Sequence, residues 1–153
     1  MFKTIKLQGK DIFENLRPEQ VDMLSSHSEV IKKKAGEKVY ERGTTSYYFF
    51  IVLSGKVVLT YPIKHNFNVI IEELGQGNMF GSCVCFNLDK YIVDAKCTKE
   101  TELLKIEADA LKKLMEEDTH LGFSLQTKIS EIYFKRYIET IKVIKEVVLD
   151  LSD

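Results

Sequence analysis

The spacing of apolar residues divides the chain into three zones. In the first, about residues 11–28, apolar residues recur at helical spacing and Pro18 suits the first turn of a short helix. The members of this line are Phe13, Leu16, Val21 and Leu24. The second zone, about residues 29–106, has aromatic and β-branched runs separated by glycine turns, as in "YYFFIVLSGKVVLTYP". Short strands at such intervals predict an all-β sandwich or barrel.

The third zone, about residues 107–151, has a helical pattern. "EADALKKLMEED" predicts one short amphipathic helix, and Asp118 is suited to be the N-cap of a second, much longer helix that contains no proline. About 30 helical residues would extend ~45 Å at 1.5 Å per residue. A domain of this size covers less than that length, so part of the helix is expected to lie beyond the barrel.

Two apolar lines run along the long helix. One predicts contact with the barrel and consists of Leu125, Ile129, Ile132 and Tyr133. The other steps by three and four residues, as a heptad seam does, and consists of Phe134, Tyr137, Ile141, Ile144, Val148 and Leu151. We predict a homodimer whose interface contains Phe134, Tyr137, Ile141, Ile144 and Val148. The alternative is a helix folded back on its own barrel.

Length and charge narrow the possible classes of protein. The chain has 153 residues, 44% of them hydrophobic, which is enough for one buried core and predicts a single domain over residues 1–153. Its 22 basic and 23 acidic residues nearly cancel, so no strong field attracts nucleic acid or a membrane. Neither a signal peptide nor a membrane-spanning run is evident, and a cytoplasmic location without a membrane partner is predicted.

Residues that could carry metal or catalytic chemistry are sparse. His27, His65 and His120 are isolated from one another along the chain, and no Ser/His/Asp grouping is apparent. We therefore predict no enzymatic activity, no metal and no cofactor. The three cysteines, Cys83, Cys85 and Cys97, have no zinc-like spacing and are interpreted as small apolar residues that fill the barrel. A redox role for the thiols is the alternative.

Several motifs, taken in order, resemble one known family. They are "FENLRPEQVDMLSS", "KKKAGEKVYERGTTSYYFFIVLSGKVVL", "ELGQGNMFG", "TELLKI" and "DALKKLMEED". From about residue 11 to residue 150, the chain resembles the cyclic-nucleotide-binding domain of regulators of the catabolite activator protein/FNR type. The resemblance implies a mainly β fold with helices, a cupin-like double-stranded β-helix (jelly roll). A short N-terminal helix and a long C-terminal dimerisation helix would flank this β-roll.

The resemblance also implies a place for the ligand. In the family, backbone N–H groups after a Phe-Gly pair face the cyclic phosphate, a glutamate directly after the pair binds the ribose, and an arginine pairs with the phosphate. Here Ser82 stands in place of the glutamate, and counting back eleven residues from Glu102 places Tyr91 at the arginine position. A shift by one residue would give Lys90. The candidate ligand-binding residues are therefore Phe80, Gly81, Ser82, Cys83, Lys90 and Tyr91.

These observations predict a non-enzymatic, small-molecule-sensing regulatory domain with a divergent phosphate site. Losing the arginine and glutamate would weaken cyclic-nucleotide binding by roughly two to four orders of magnitude. Phe86, Tyr91 and the aromatic run at residues 47–50 favour an aromatic or apolar effector that is still unknown. The alternatives are a transcription regulator without its DNA-binding module that binds cyclic nucleotide weakly, and a ligand-free dimeric scaffold. Because a helix-turn-helix would follow the long helix, we expect no direct DNA binding by this chain.

Overall fold

The computed structural model describes residues 13–81 and 89–152, which form three helices and eight strands. The chain begins with α1 (Pro18–Ser26). The strands are β1 (Ser28–Lys33), β2 (Lys38–Tyr40), β3 (Tyr48–Ser54), β4 (Val57–Lys64), β5 (Phe67–Leu74), β6 (Met79–Phe80), β7 (Asp94–Cys97) and β8 (Thr101–Glu107). Two further helices follow, α2 (Ala108–Glu117) and α3 (Thr119–Ser152).

The strands form two four-stranded antiparallel sheets. One has the order β1-β8-β3-β6 and the other the order β2-β7-β4-β5. Strands that are distant in sequence are therefore neighbours, and the chain passes back and forth between the sheets as it does in a jelly roll. This is the mainly β fold predicted from the short strands of the second zone.

Two buried clusters correspond to the two faces of the first sheet. On its outer face, side chains such as Phe49, Ile51 and Leu104 pack against the helices. On its inner face, Phe50, Val52 and Leu103 pack against the second sheet. Because successive side chains of a strand point to opposite faces, β3 and β8 contribute to both clusters at once. The inner face is the one that a ligand of the β-roll would meet.

Helix α1 is shorter than the zone predicted for it. It begins at Pro18 and not near residue 11, because proline lacks an N–H and is accommodated at the first helical position. Phe13 and Leu16 precede the helix in a turn, yet both are buried in the outer cluster. The apolar spacing therefore identified the buried residues correctly, but not their secondary structure.

Helix α3 starts where Asp118 was predicted to cap it. The Asp118 carboxylate accepts a hydrogen bond from the Leu121 N–H at 3.0 Å, and the Gln20 amide donates a second at 2.9 Å. These bonds, that of Leu121 first, lower the pKa of Asp118. Leu125, Ile129 and Ile132 are buried against the outer cluster as predicted. Every residue from 137 to 152 is exposed, so α3 continues beyond the β-roll.

Gly122 allows α3 to approach α2 closely. A Cβ at this position would overlap the carbonyl group of Met115. Replacing a helical glycine with alanine usually stabilises a helix, but here Gly122→Ala should destabilise the fold by about 1–3 kcal/mol because backbone must move. Urea unfolding measures the difference. Gly75→Ala is the control, since a Cβ there has no neighbour within 4 Å, and it should change stability by less than about 0.5 kcal/mol. Equal effects would contradict the close approach.

Candidate ligand-binding site

The turn that resembles a phosphate-binding segment leaves β6 at Gly81. This residue has φ of +77°, a conformation that favours glycine. A Cβ on Gly81 would lie 3.2 Å from the Tyr40 ring, 3.3 Å from the Tyr91 ring and 3.4 Å from the Phe50 ring. Aromatic side chains therefore lie against the backbone that would have to approach a phosphate.

The structure describes four of the six candidate residues. Phe80 is buried in the inner cluster, opposite Phe50 in the pairing of β3 and β6. Gly81 follows it directly. Ser82 and Cys83 lie outside the described residues, and their roles remain predictions from the sequence.

Lys90 and Tyr91 were the two candidates for the arginine position, and they have different surroundings. Lys90 is exposed and forms an isolated antiparallel bridge with Thr45. Tyr91 is buried among the residues of the roll interior. Counting eleven residues back from Glu102 therefore leads to an aromatic ring in the roll interior, Tyr91, and not to a cation. Whether either residue binds a ligand remains a prediction.

Four aromatic rings form a continuous cluster in the roll, which we call the inner aromatic cluster: Tyr40, Phe50, Phe80 and Tyr91. The Tyr40 and Tyr91 rings are stacked, with centroids 3.7 Å apart and planes inclined by 7°. Phe50 and Phe80 are also stacked, at 5.3 Å, and Tyr40 lies 6.0 Å from each of them. Such contacts stabilise a core beyond the apolar area that they bury.

The hydroxyl group of Tyr91 is held by the backbone of β3. It donates a hydrogen bond to the Tyr48 carbonyl oxygen at 2.7 Å, and the Tyr48 N–H donates to it at 3.4 Å. The phenol group therefore has its polar end satisfied and its ring stacked. The residue spacing indicated Tyr91 but not Tyr40, although Tyr40 ends a short strand that follows a glycine turn.

Lys105 of the first sheet lies on the same inner face as these rings. Lys105 is paired in register with Glu29 on one side and Phe50 on the other. Its ammonium group lies 3.0 Å from the Glu29 carboxylate and 4.1 Å from the centre of the Tyr48 ring. The charge of Lys105 is already shared with these two groups. Lys105 was not among the residues predicted from the sequence, although the alternation in "TELLKI" could have placed it on the inner face.

The predicted dimer seam is an exposed apolar stripe on α3. Its five residues are between 46% and 61% exposed: Phe134, Tyr137, Ile141, Ile144 and Val148. An unpartnered stripe of this kind is typical of an interface. The rings of Phe134 and Tyr137 also contact each other, with centroids 6.4 Å apart. The structure thus leaves these side chains accessible to a partner, while dimerisation itself remains a prediction.

Arg136, which was not among the residues predicted from the sequence, joins α3 to the strands that lead to Gly81. Its side chain is only 12% exposed and follows the buried line of α3. The guanidinium Nη2 donates a hydrogen bond to the Met79 carbonyl oxygen at 2.6 Å. Its Nε lies 3.2 Å from the Glu72 carboxylate, but its N–H points at no acceptor among the described residues. The attraction to Glu72 is therefore coulombic. In the sequence, this contact was signalled only by an arginine that continues the buried apolar line of α3.

Burial governs the charge states of Glu72 and Cys97. Desolvation raises the pKa of Glu72, and the nearby Arg136 opposes this increase. Burial likewise raises the pKa of the Cys97 thiol, which disfavours the reactive thiolate. Over residues 13–81 and 89–152, no cluster of three or more potential metal ligands is present. No helix in the part that the structure describes is long and apolar enough to span a membrane.

Comparison with known sequences identifies one family. The pattern of the family described as "Cyclic nucleotide-binding domain" matches residues 30–118. The cyclic AMP receptor protein of Thermus thermophilus is 26% identical over 100 residues, covering 65% of this chain and 46% of that protein. The chain thus matches less than half of the length of this relative.

Comparison with solved structures confirms the predicted jelly-roll fold. A cyclic nucleotide-binding domain from Methylobacillus flagellatus superposes with a TM-score of 0.73 at 20% identity, covering 94% of this chain and 78% of that one. The sensor domain of the transcriptional regulator DNR from Pseudomonas aeruginosa gives a TM-score of 0.71 at 23% identity, covering 84% and 86%. At these identities the likeness shows a shared fold.

Arg136→Met tests the joint between α3 and the β-roll. The variant loses the bond to Met79 and leaves Glu72 partly buried without its cation, so we expect destabilisation of about 2–3 kcal/mol in urea unfolding. Without Arg136 the pKa of Glu72 rises further above its unfolded value. Stability is then retained below the unfolded pKa and lost as pH rises, so the destabilisation should be larger at pH 7 than near pH 4.

Lys135→Met is the matched control for this prediction. Lys135 is a neighbouring cation on α3 whose ion pair with Glu131 is exposed. Exposed pairs of this kind contribute little, and a loss of less than about 0.5 kcal/mol is expected. If both substitutions gave the same small loss in the free energy of unfolding at both pH values, Arg136 would not hold α3 to the β-roll.

Proposed function

Because this chain belongs to the cyclic nucleotide-binding domain family, we propose that it is a non-enzymatic regulatory domain. In this proposal, the β-roll is the sensory part and α3 carries the output to a second copy of the chain. The effector is a small molecule other than an unmodified cyclic nucleotide. A cytoplasmic setting, predicted from the sequence, belongs to the same proposal.

One observation carries the statement about the effector, the stack of Tyr91 on Tyr40 beside Gly81. A cyclic phosphate is a permanent anion, and moving it from water to an apolar interior is costly unless a cation or several donors receive it. At the arginine position a phenol ring occupies the interior, and its only donor already serves the Tyr48 carbonyl. This arrangement supports a roll interior that does not bind the phosphate group of the family's usual ligand.

The proposed route of the signal depends on the different surroundings of the two halves of α3. The proximal half is buried against the outer cluster, whereas the distal half exposes the seam predicted to pair with a partner helix. Arg136 stands between them and contacts the strand that enters the Gly81 turn. We propose that rearrangement of the roll interior moves β6, and that Arg136 transmits this movement to the angle of the paired helices. Signalling here needs no DNA contact by this chain.

A ligand-free dimeric scaffold is the second candidate function. It is favoured by the same inner aromatic cluster, because a roll already filled by its own side chains can hold α3 in one position without an effector. The two candidates differ in whether any small molecule changes the dimer. Both predict that cyclic nucleotides have little effect on the wild-type protein.

Thermal unfolding with cyclic AMP and cyclic GMP tests the proposed loss of the phosphate site. Wild type should show no shift in Tm, whereas Ser82→Glu with Tyr91→Arg restores both family side chains and should gain one. A ligand at 100 times its Kd adds about 2.7 kcal/mol, or several degrees in Tm. The matched control combines Ser82→Glu with Lys90→Arg, which restores the charges in the other register. A clear shift for wild type, or for this control alone, would contradict the proposal.

Light scattering on Ile141→Lys tests the dimer seam. Wild type should be a dimer, and a lysine in the middle of the seam should give a monomer at micromolar concentration because a buried, unpaired ammonium is costly. Val143→Lys is the matched control, since Val143 is 58% exposed on the same helix but lies about 200° around it from Ile141. That variant should remain a dimer. A monomeric wild type would show that the seam is not an interface.

A further inference from the structure

The interior of the β-roll has three boundaries around the side chain of Tyr91. The first is a flat wall, the ring of Tyr40, which lies parallel to the Tyr91 ring at 3.7 Å. Parallel rings at this distance are in full van der Waals contact. This wall therefore selects a planar aromatic group.

The second boundary lies at the edge of the Tyr91 ring. The position that a Cβ of Gly81 would occupy is 3.3 Å from a carbon of this ring and 3.4 Å from a carbon of the Phe50 ring. Backbone and aromatic carbon thus enclose the ring from the side. At this edge, a group larger than the Tyr91 ring would meet the Gly81 backbone and the Phe50 ring.

The third boundary is polar. The carbonyl oxygen and the N–H of Tyr48 both face the Tyr91 hydroxyl, at 2.7 Å and 3.4 Å. A hydroxyl can accept one hydrogen bond and donate another at the same time. This boundary therefore selects a hydroxyl group at the far end of the ring.

We propose that this space is a phenol-binding site and that Tyr91 is its built-in occupant. The inference rests on the proposed function, because it specifies the chemistry of the same roll interior. The wild-type roll is held in its filled state by its own side chain and needs no external ligand for that state. An external phenol binds only where the Tyr91 side chain has been removed or displaced.

The test removes the occupant and supplies its chemical equivalent. Tyr91→Ala deletes the phenol group, and p-cresol, which is the tyrosine side chain as a free molecule, is added as the probe. We expect p-cresol to raise the Tm of Tyr91→Ala in proportion to the logarithm of its concentration, and to bind in calorimetry with about 1:1 stoichiometry. Wild type should show neither effect, since its site is filled.

Toluene separates the polar boundary from simple cavity filling. It matches the ring of p-cresol but lacks the hydroxyl, so the Tyr48 carbonyl would stay without that donor. We expect toluene to bind Tyr91→Ala at least about fivefold more weakly than p-cresol, the ratio that one ordinary hydrogen bond supplies. Equal affinities would overturn the assignment of a phenol site.

Tyr47→Ala is the matched control. It removes the same side chain from the position before Tyr48, where Tyr47 is 64% exposed, so that its removal should leave no enclosed space. If p-cresol stabilised Tyr47→Ala or wild type as much as Tyr91→Ala, its effect would be non-specific and the inference would be wrong. A folded Tyr91→Ala that p-cresol does not stabilise would overturn it as well.

Tyr91→Leu keeps the test decisive if Tyr91→Ala fails to fold. Leucine retains apolar volume but leaves the polar boundary and part of the ring space open, and p-cresol should still stabilise it more than toluene. Absence of that preference would overturn the inference. Light scattering on the same samples distinguishes failure of this inference from failure of the proposed function. The proposed function fails if the wild-type protein is a monomer or responds to cyclic AMP.

Discussion

The centroids of the stacked Tyr40 and Tyr91 rings are 3.7 Å apart, which leaves no room for a third group between the two rings. This contact limits the space in the roll interior beside Gly81. The Gly81 backbone lies against these two rings, and Tyr40 also contacts Phe50 and Phe80. Close-packed interiors do not deform continuously but change between discrete arrangements. In the proposed function, a guest would therefore displace a side chain before entering, and the roll would be selective because its own side chain occupies the space.

That constraint extends to the helices through the first sheet. Phe50 faces the inner cluster and its neighbour Ile51 faces the outer one, so a shift of β3 alters the packing on both sides. Strand β6 pairs with β3 at these two residues, and its Met79 carbonyl is the acceptor for Arg136. The inner rings, the sheet and α3 are thus linked by direct contacts. Residues 137–152 of the helix are exposed, and a small change in the angle of α3 would be amplified along these turns.

Much of the fold could be predicted because it depends on local periodicity. The strand zone, the short helix α2 and the capped start of α3 follow from alternation, helical spacing and one N-cap residue. The exception is the first helix, because Phe13 and Leu16 pack into the outer cluster from a turn that precedes it. Apolar spacing indicates which residues are buried, whereas a proline indicates where a helix can begin. For α1, the two signals indicated different first residues.

The site was less predictable because it depends on contacts between distant segments. Counting residues from Glu102 indicated Tyr91, but nothing in the sequence shows that its ring stacks on Tyr40, which lies in another strand. The same is true of Arg136, whose place in the apolar line of α3 is visible while its partners on β5 and β6 are not. Pairing between sheets and helices is a property of the tertiary structure, and a single sequence contains no record of it.

Gly81 illustrates why the same residue in a shared fold can have different surroundings. In a phosphate-binding turn, a glycine lets the backbone approach an anion. Here Gly81, in a left-handed conformation, makes space for three aromatic rings of the chain itself. Either requirement alone is enough to retain glycine, so the residue no longer distinguishes a roll that binds a nucleotide from one that fills its own interior. The distinction lies in what faces the glycine, and in this protein that is the Tyr40–Tyr91 stack.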